Sequence, residues 1–188
     1  MEHLSPWQQG DPWRRTCLGV ALSIYFLRLL FTQFVFLRRA IGWAEALTIG
    51  PWLLFLYVTY ALSGGTNPRR LALEALAGGA LFLCGSWMNS YAEMARDRWK
   101  QQPCNRGRLY TLSLFRFSRH PNYLGDLISF TGLSMLTGRW ETLFIPAVML
   151  AGFVFVNIPM LDAHLHRHYG AAFEEYASRT RKLIPFIY

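Results

Sequence analysis

The sequence predicts an all-α, polytopic transmembrane helical bundle of about five spans, closed by a C-terminal helix lying on the membrane surface. Three observations lead there. Of 188 residues, 53% are hydrophobic and 16% aromatic. The apolar residues gather in runs near the length of about twenty that crosses a hydrocarbon core. The formal charge of +8 resides in the segments between those runs. A basic chain suggests nucleic acid only when its charge forms a soluble domain, so no nucleic-acid partner is predicted and topology accounts for the charge.

The N-terminal dozen residues, with Pro6, Gly10 and Pro12, predict an unstructured or interfacial lead-in, and Trp7 and Trp13 suit a headgroup boundary. Spans are predicted at 17–37, 43–62, 71–92, 121–138 and 142–160. The first lacks a small-residue cleavage site and is followed by Arg38 and Arg39, so it reads as a retained span rather than a signal peptide. Gly42 precedes the second span and Ser63-Gly64-Gly65-Thr66-Asn67-Pro68 follows it, as turns do. After Trp87 the third run becomes polar and should leave the membrane as a continuing helix until Pro103, Asn105 and Gly107 break it. The chain is read as one integral membrane domain, with residues 1–95 on the substrate side and 96–188 as the cofactor-binding half.

Five spans with a cytoplasmic tail place thirteen Lys and Arg residues inside and five outside, which predicts an outside N-terminus and a cytoplasmic loop 96–120 and tail. In the tail that begins at Asp162, with Leu161 just before it, Leu161, Leu165, Tyr169, Phe173 and Tyr176 recur at near-helical spacing, giving the surface helix. The ending Leu183-Ile-Pro185-Phe-Ile-Tyr188 is apolar enough to predict docking against the bundle. Cys17, Cys84 and Cys104 are odd in number and lack CxxC spacing, so they read as free thiols.

The segment richest in chemistry is Phe115-Arg-Phe-Ser-Arg119-His120-Pro121-Asn122-Tyr123-Leu-Gly-Asp126. Pro121 suits the first turn of a helix, where a missing N–H costs nothing. The free N–H groups there face a loop with Arg116, Arg119 and His120, which predicts an anion site. Asn122 and Asp126, four residues apart, share a helical face. An acid one turn into a membrane helix needs a polar cavity or a partner. The plainer alternative is that the arginines follow the positive-inside bias and Asp126 pairs with one of them. His164, His166 and His168 have no second ligand cluster, so no metal is assigned.

The ordered RHPNYLGD string, preceded by Pro103-Cys-Asn105-Arg-Gly107 and followed by Tyr169-Gly170, Glu175-Tyr176, Arg179-Thr180 and Ile184-Pro185, resembles the C-terminal half of steroid 5-alpha reductase-like and sterol reductase membrane proteins. The resemblance covers roughly residues 87–188. It implies NADPH bound at the cytoplasmic face by Asn105, Arg116, Arg119, His120, Asn122, Tyr123, Asp126, Tyr169, Tyr176 and Arg179. It also implies hydride transfer to a carbon–carbon double bond in a steroid-like, isoprenoid or other lipidic substrate, with membrane lipids as surroundings. Tyr123, His120 and Glu45 are candidate proton-transfer residues; Tyr60 is a further one.

The pattern is similar, too, to the isoprenylcysteine carboxyl methyltransferases and related phospholipid methyltransferases, which implies S-adenosylmethionine as the alternative cofactor. Those enzymes pair two glutamates in the following tail, where this chain has Asp162-Ala163-His164. It also has Leu161 where sterol reductases carry Arg before the tail aspartate. No GxGxxG follows a strand, so a nicotinamide cofactor would not sit on a Rossmann domain. A non-catalytic membrane module is the third alternative.

Overall fold

A computed structural model describes residues 6–37 and 42–188, without the side chains of Pro6, Gln8, Phe36, Leu37, Ala44 and Glu45. Arg38 and Arg39, and the Glu45 carboxyl proposed for proton transfer, therefore lie outside the described residues. About 80% of the chain is helical, with no strand among the described residues. The helices are α1 (Pro6–Gln9), α2 (Pro12–Phe31), α3 (Trp43–Gly65), α4 (Leu73–Gln101), α5 (Pro121–Thr137), α6 (Phe144–Gly152), α7 (Ile158–Tyr169) and α8 (Ala171–Arg179). The five predicted spans lie mostly on helix, apart from residues 71–72 and 138. Among the described residues three helical stretches, Pro12–Val35, Ala46–Gly65 and Trp140–Tyr169, are long and apolar enough to cross a membrane; α4 and α5, which carry the third and fourth predicted spans, are not among them.

Local chemistry explains the ends. The Asp11 carboxylate accepts from the Arg14 backbone N–H at 2.8 Å and Pro12 occupies the first turn, so α2 starts there. The described part of the lead-in is partly helical, since α1 (Pro6–Gln9) precedes this cap. As predicted, α4 continues past the apolar run to Gln101, and α5 begins at Pro121. The predicted surface helix differs in form. The last span runs unbroken through a π-helical turn, Phe153–Asn157, into α7, and the chain bends only at Gly170. Gly170 has φ 51° and ψ −127°, a conformation open to glycine and costly for other residues.

Two compact units emerge. The first comprises residues 1–84 and 128–146. Its core holds Leu18, Leu56, Tyr60, Phe82, Phe130 and Leu133, all nearly inaccessible. Tyr25 meets Phe130 edge-on with ring centroids 5.1 Å apart. A Cβ added at Gly132 would strike the backbone of Gly78 and Phe82. In this unit α4 and α5 therefore pack backbone against backbone, as small residues allow between membrane helices.

The second unit comprises residues 85–127 and 147–188. Here a Cβ at Gly125 would lie 2.8 Å from the Gly85 carbonyl oxygen and 2.7 Å from the Asn89 backbone nitrogen. Of the apolar ending, only Leu183 is buried; Phe186 and Ile187 are 84% and 75% exposed. Docking of the ending is thus confined to one side chain. The reason is a tight turn in which the Leu183 and Ile184 N–H groups both donate to the Tyr188 carbonyl, leaving the apolar tips outward.

Candidate functional site

The second unit brings the basic loop and the tail into direct contact. The Arg119 N–H donates to the Arg181 carbonyl at 2.8 Å, and the His120 N–H to the Lys182 carbonyl at 3.1 Å. Ser118 and Arg181 form an isolated parallel bridge. The Ser118 hydroxyl sits beneath it, accepting from the His120 N–H at 3.2 Å. These bonds hold the loop against the tail.

They also alter the anion site expected at the start of α5. Two backbone donors there already have tail carbonyls as partners, and Arg119 has an acid: its Nη1 lies 3.2 Å from Asp162 Oδ2. The other oxygen of Asp162 is 3.0 Å from His120 Nε2. One α7 carboxylate thus bridges two adjacent residues of the motif, with the Arg119 guanidinium also 5.6 Å over the Phe173 ring. The Arg119 Nε is buried without a hydrogen-bond partner among the described residues. Asp162 was not among the predicted site residues. The available signal was its place in the tail of the reductase pattern; partnership with a motif 42 positions earlier is not legible from spacing.

Tyr123 stacks between two rings. Its centroid is 5.4 Å from His120 and 4.5 Å from Phe153, with interplanar angles of 11° and 7°. The π-helical turn at Phe153 supplies the second face, and such turns recur at functional positions. Asn122 is held from both ends: its amide donates to Glu93 Oε1 at 3.0 Å, and its carbonyl accepts from Asn89 Nδ2 at 3.0 Å. Glu93 and Asp126 are both close enough to act electrostatically on Tyr123. Glu93 is a second residue missed by sequence reasoning; its signal was an acid on the polar continuation of α4.

Other predicted residues have structural partners. The Asn105 amide donates to the Trp99 carbonyl at 2.9 Å and to Gln102 Oε1 at 3.0 Å, closing the end of α4. The Tyr176 hydroxyl donates to the Phe115 carbonyl at 2.7 Å, and burial pushes its pKa upward. Tyr169 ends α7, edge-on to His168. In the first unit, Tyr60 is wholly buried and bonds to the Phe130 carbonyl and the Ser134 hydroxyl, each at 3.1 Å.

Arg116 and Arg179 meet elsewhere. Together with Arg181 they line a cavity of about 340 Å³, with Phe117, Thr180 and Phe186 on its wall. Arg179 also forms an exposed ion pair with Glu175 at 3.3 Å. Three guanidiniums around one opening favour a polyanion. No cluster of three metal-capable side chains occurs among the described residues.

Apolar helices of membrane-crossing length, and a polar motif gripped by its own tail, define a helical membrane protein with a candidate site in its second unit. The chain belongs to the DUF1295 family, described as a protein of unknown function, whose model matches residues 13–180. That family covers steroid 5-alpha reductase-like proteins. Among similar proteins is the probable O-methyltransferase ustE of Ustilaginoidea virens, 38% identical over 46% of this chain and 31% of that one. Human 3-oxo-5-alpha-steroid 4-dehydrogenase 2 is 28% identical over 57% of this chain and 41% of its own. The protein-S-isoprenylcysteine O-methyltransferase of Schizosaccharomyces pombe is 29% identical over 42% of this chain and 34% of its own. The matches span less than half the length of each of these three relatives.

Proposed function

We propose that this chain is a membrane reductase that binds NADPH on its second unit and reduces a polarised carbon–carbon double bond in a lipid-soluble substrate. The three-arginine cavity carries this reading. NADPH presents a pyrophosphate and a 2′-phosphate, and guanidinium forks match phosphate oxygens in both charge and geometry. S-adenosylmethionine has a sulfonium cation and no phosphate, so clustered guanidiniums disfavour it.

In this reading Arg116, Arg179 and Arg181 hold the phosphates, and Phe117 and Phe186 offer apolar faces beside them. NADPH supplies hydride when bound. His120, oriented by Asp162, fixes one face of Tyr123, so the phenol is presented in a single ring plane for proton delivery. Asn122, fixed by Glu93 and Asn89, stands beside Tyr123 among the residues that the resemblance assigns to NADPH. The loop and the tail are assigned to the cytoplasm, in keeping with their excess of Lys and Arg and with five crossings.

The second reading is an S-adenosylmethionine-dependent lipid methyltransferase. It is favoured by the 38% identity with the probable O-methyltransferase. Separate titrations of the purified protein with NADPH and S-adenosylmethionine, read by thermal shift, decide between them. NADPH is expected to raise the melting temperature, and the double variant Arg116→Ala, Arg181→Ala to weaken that response at least tenfold. A saturable response to S-adenosylmethionine with none to NADPH would replace the reductase by the methyltransferase.

A further inference from the structure

The first unit carries a second charged site that the reductase reading does not use. It is built where α3 and α5 end. The turn after α3 contains Arg69, and the turn after α5 contains Arg139, Trp140 and Glu141. Arg14, wholly buried, ties the two turns together: its Nη1 donates to the Leu136 carbonyl at 2.7 Å and its Nη2 to the Arg70 carbonyl at 3.1 Å. The Asn67 amide adds a 2.8 Å bond to the Thr137 carbonyl. The walls are thus fixed by buried bonds and do not depend on a ligand for their shape.

Between the turns lie two cavities, of about 220 and 300 Å³, that share Arg69, Gly138, Arg139 and Trp140. The smaller is polar and includes Glu141. The larger opens past Met135 and Leu143, which are apolar, and has Glu74 on its margin. Arg139 spends its Nε on the Ser63 carbonyl at 3.0 Å, and its two terminal nitrogens have no partner among the described residues. The Arg69 side chain forms no hydrogen bond or ion pair among those residues either. Trp140, 79% exposed, begins the membrane-length helical stretch Trp140–Tyr169. A tryptophan at the start of a span marks the headgroup level.

A ligand for this site must bring a group that two guanidiniums can fork, a positive group for the carboxylate on the same wall, and an apolar part for the Met135 and Leu143 side. We propose that it binds one zwitterionic phospholipid, with the phosphate against Arg69 and Arg139, the headgroup ammonium against Glu141 and the ring of Trp140, and an acyl chain along Leu143. Glu141 and Glu74, which line these cavities with the two arginines, rule against a purely anionic headgroup as the better ligand, because their carboxylates would repel it or go unused.

Native mass spectrometry of the full chain in detergent tests this with three probes: phosphatidylethanolamine, phosphatidylglycerol and inorganic phosphate. Phosphatidylethanolamine is expected to remain bound at least tenfold more tightly than phosphatidylglycerol, and inorganic phosphate to displace neither at millimolar concentration. Arg69→Gln with Arg139→Gln should abolish the retained lipid, while Glu141→Gln, at an exposed position, should close the gap between the two lipids. Equal retention of both lipids by the wild-type chain, no retained lipid, persistent phosphate adducts, or retention undiminished in the double arginine variant would each overturn the assignment. Unchanged helical circular dichroism separates loss of the site from loss of the fold.

Discussion

His120 and Asp162 are joined by a 3.0 Å hydrogen bond across 42 positions of sequence, and the same carboxylate reaches Arg119. Asp162 is therefore the point at which the last long helical stretch grips the motif. Replacing it with Asn keeps the shape but removes the charge, leaving an Arg119 side chain that is only 8% exposed without its acid. Breaking such a pair from one side costs about 3–5 kcal/mol in a full interior, and Asp162, being partly accessible, should cost about 2–3. Chemical unfolding of Asp162→Asn in detergent measures it. The NADPH response should weaken too, since the rings of His120 and Tyr123 lose their anchor.

Tyr176 offers a cleaner subtraction. Tyr176→Phe removes one hydrogen bond to the Phe115 carbonyl and keeps the ring, so a loss of about 1 kcal/mol is expected. The same residue sets a pH dependence. Burial raises its pKa above that of an exposed tyrosine, so the folded chain keeps a proton that the unfolded chain releases. Stability from this source is complete below the unfolded value of about 10 and falls as pH rises beyond it. Unfolding curves at successive alkaline pH values should show a shallower decline for Tyr176→Phe than for the parent.

Gly125→Ala and Gly132→Ala test the close helix contacts in the two units. Neither added methyl has room, because both meet backbone atoms that cannot rotate away. A loss of about 1–3 kcal/mol is expected from each, read by thermal unfolding. Gly19→Ala is the matched control, since nothing lies within 4 Å of its added Cβ.

Gly170→Ala tests the bend between α7 and α8. A side chain at φ 51° and ψ −127° is strained by about 1–3 kcal/mol, although the space around it is open. The variant should lower the melting temperature and loosen α8, which hydrogen exchange of residues 171–179 would report. Crowding does not explain such a result, so it isolates backbone conformation.

Charge at the three-arginine cavity can be reversed rather than removed. Arg179→Glu should weaken NADPH more than NADH, because a guanidinium that meets the extra phosphate matters only to the phosphorylated form. A tenfold or greater narrowing of the NADPH-to-NADH affinity ratio is expected in equilibrium titrations. An unchanged ratio would place the 2′-phosphate away from Arg179.

The sequence by itself determined the helical class, the membrane-length runs, the exit of α4 into a polar extension, the start of α5 at Pro121, and the location of the chemically rich motif. Each of these depends on residues near one another: apolar runs, a proline in a first turn, or glycines and prolines that end a helix. Tertiary structure alone decided which of the motif's polar groups are engaged. It bound Arg119 and His120 to Asp162, tied Asn122 to Glu93, and turned Tyr176 and Asn105 into struts. It also gathered Arg116, Arg179 and Arg181 around one cavity. The physical reason is that a buried charge or amide must find its complement wherever the fold carries it. Local spacing shows that a partner is required, but only packing brings Asp162 on α7 to the residues preceding α5.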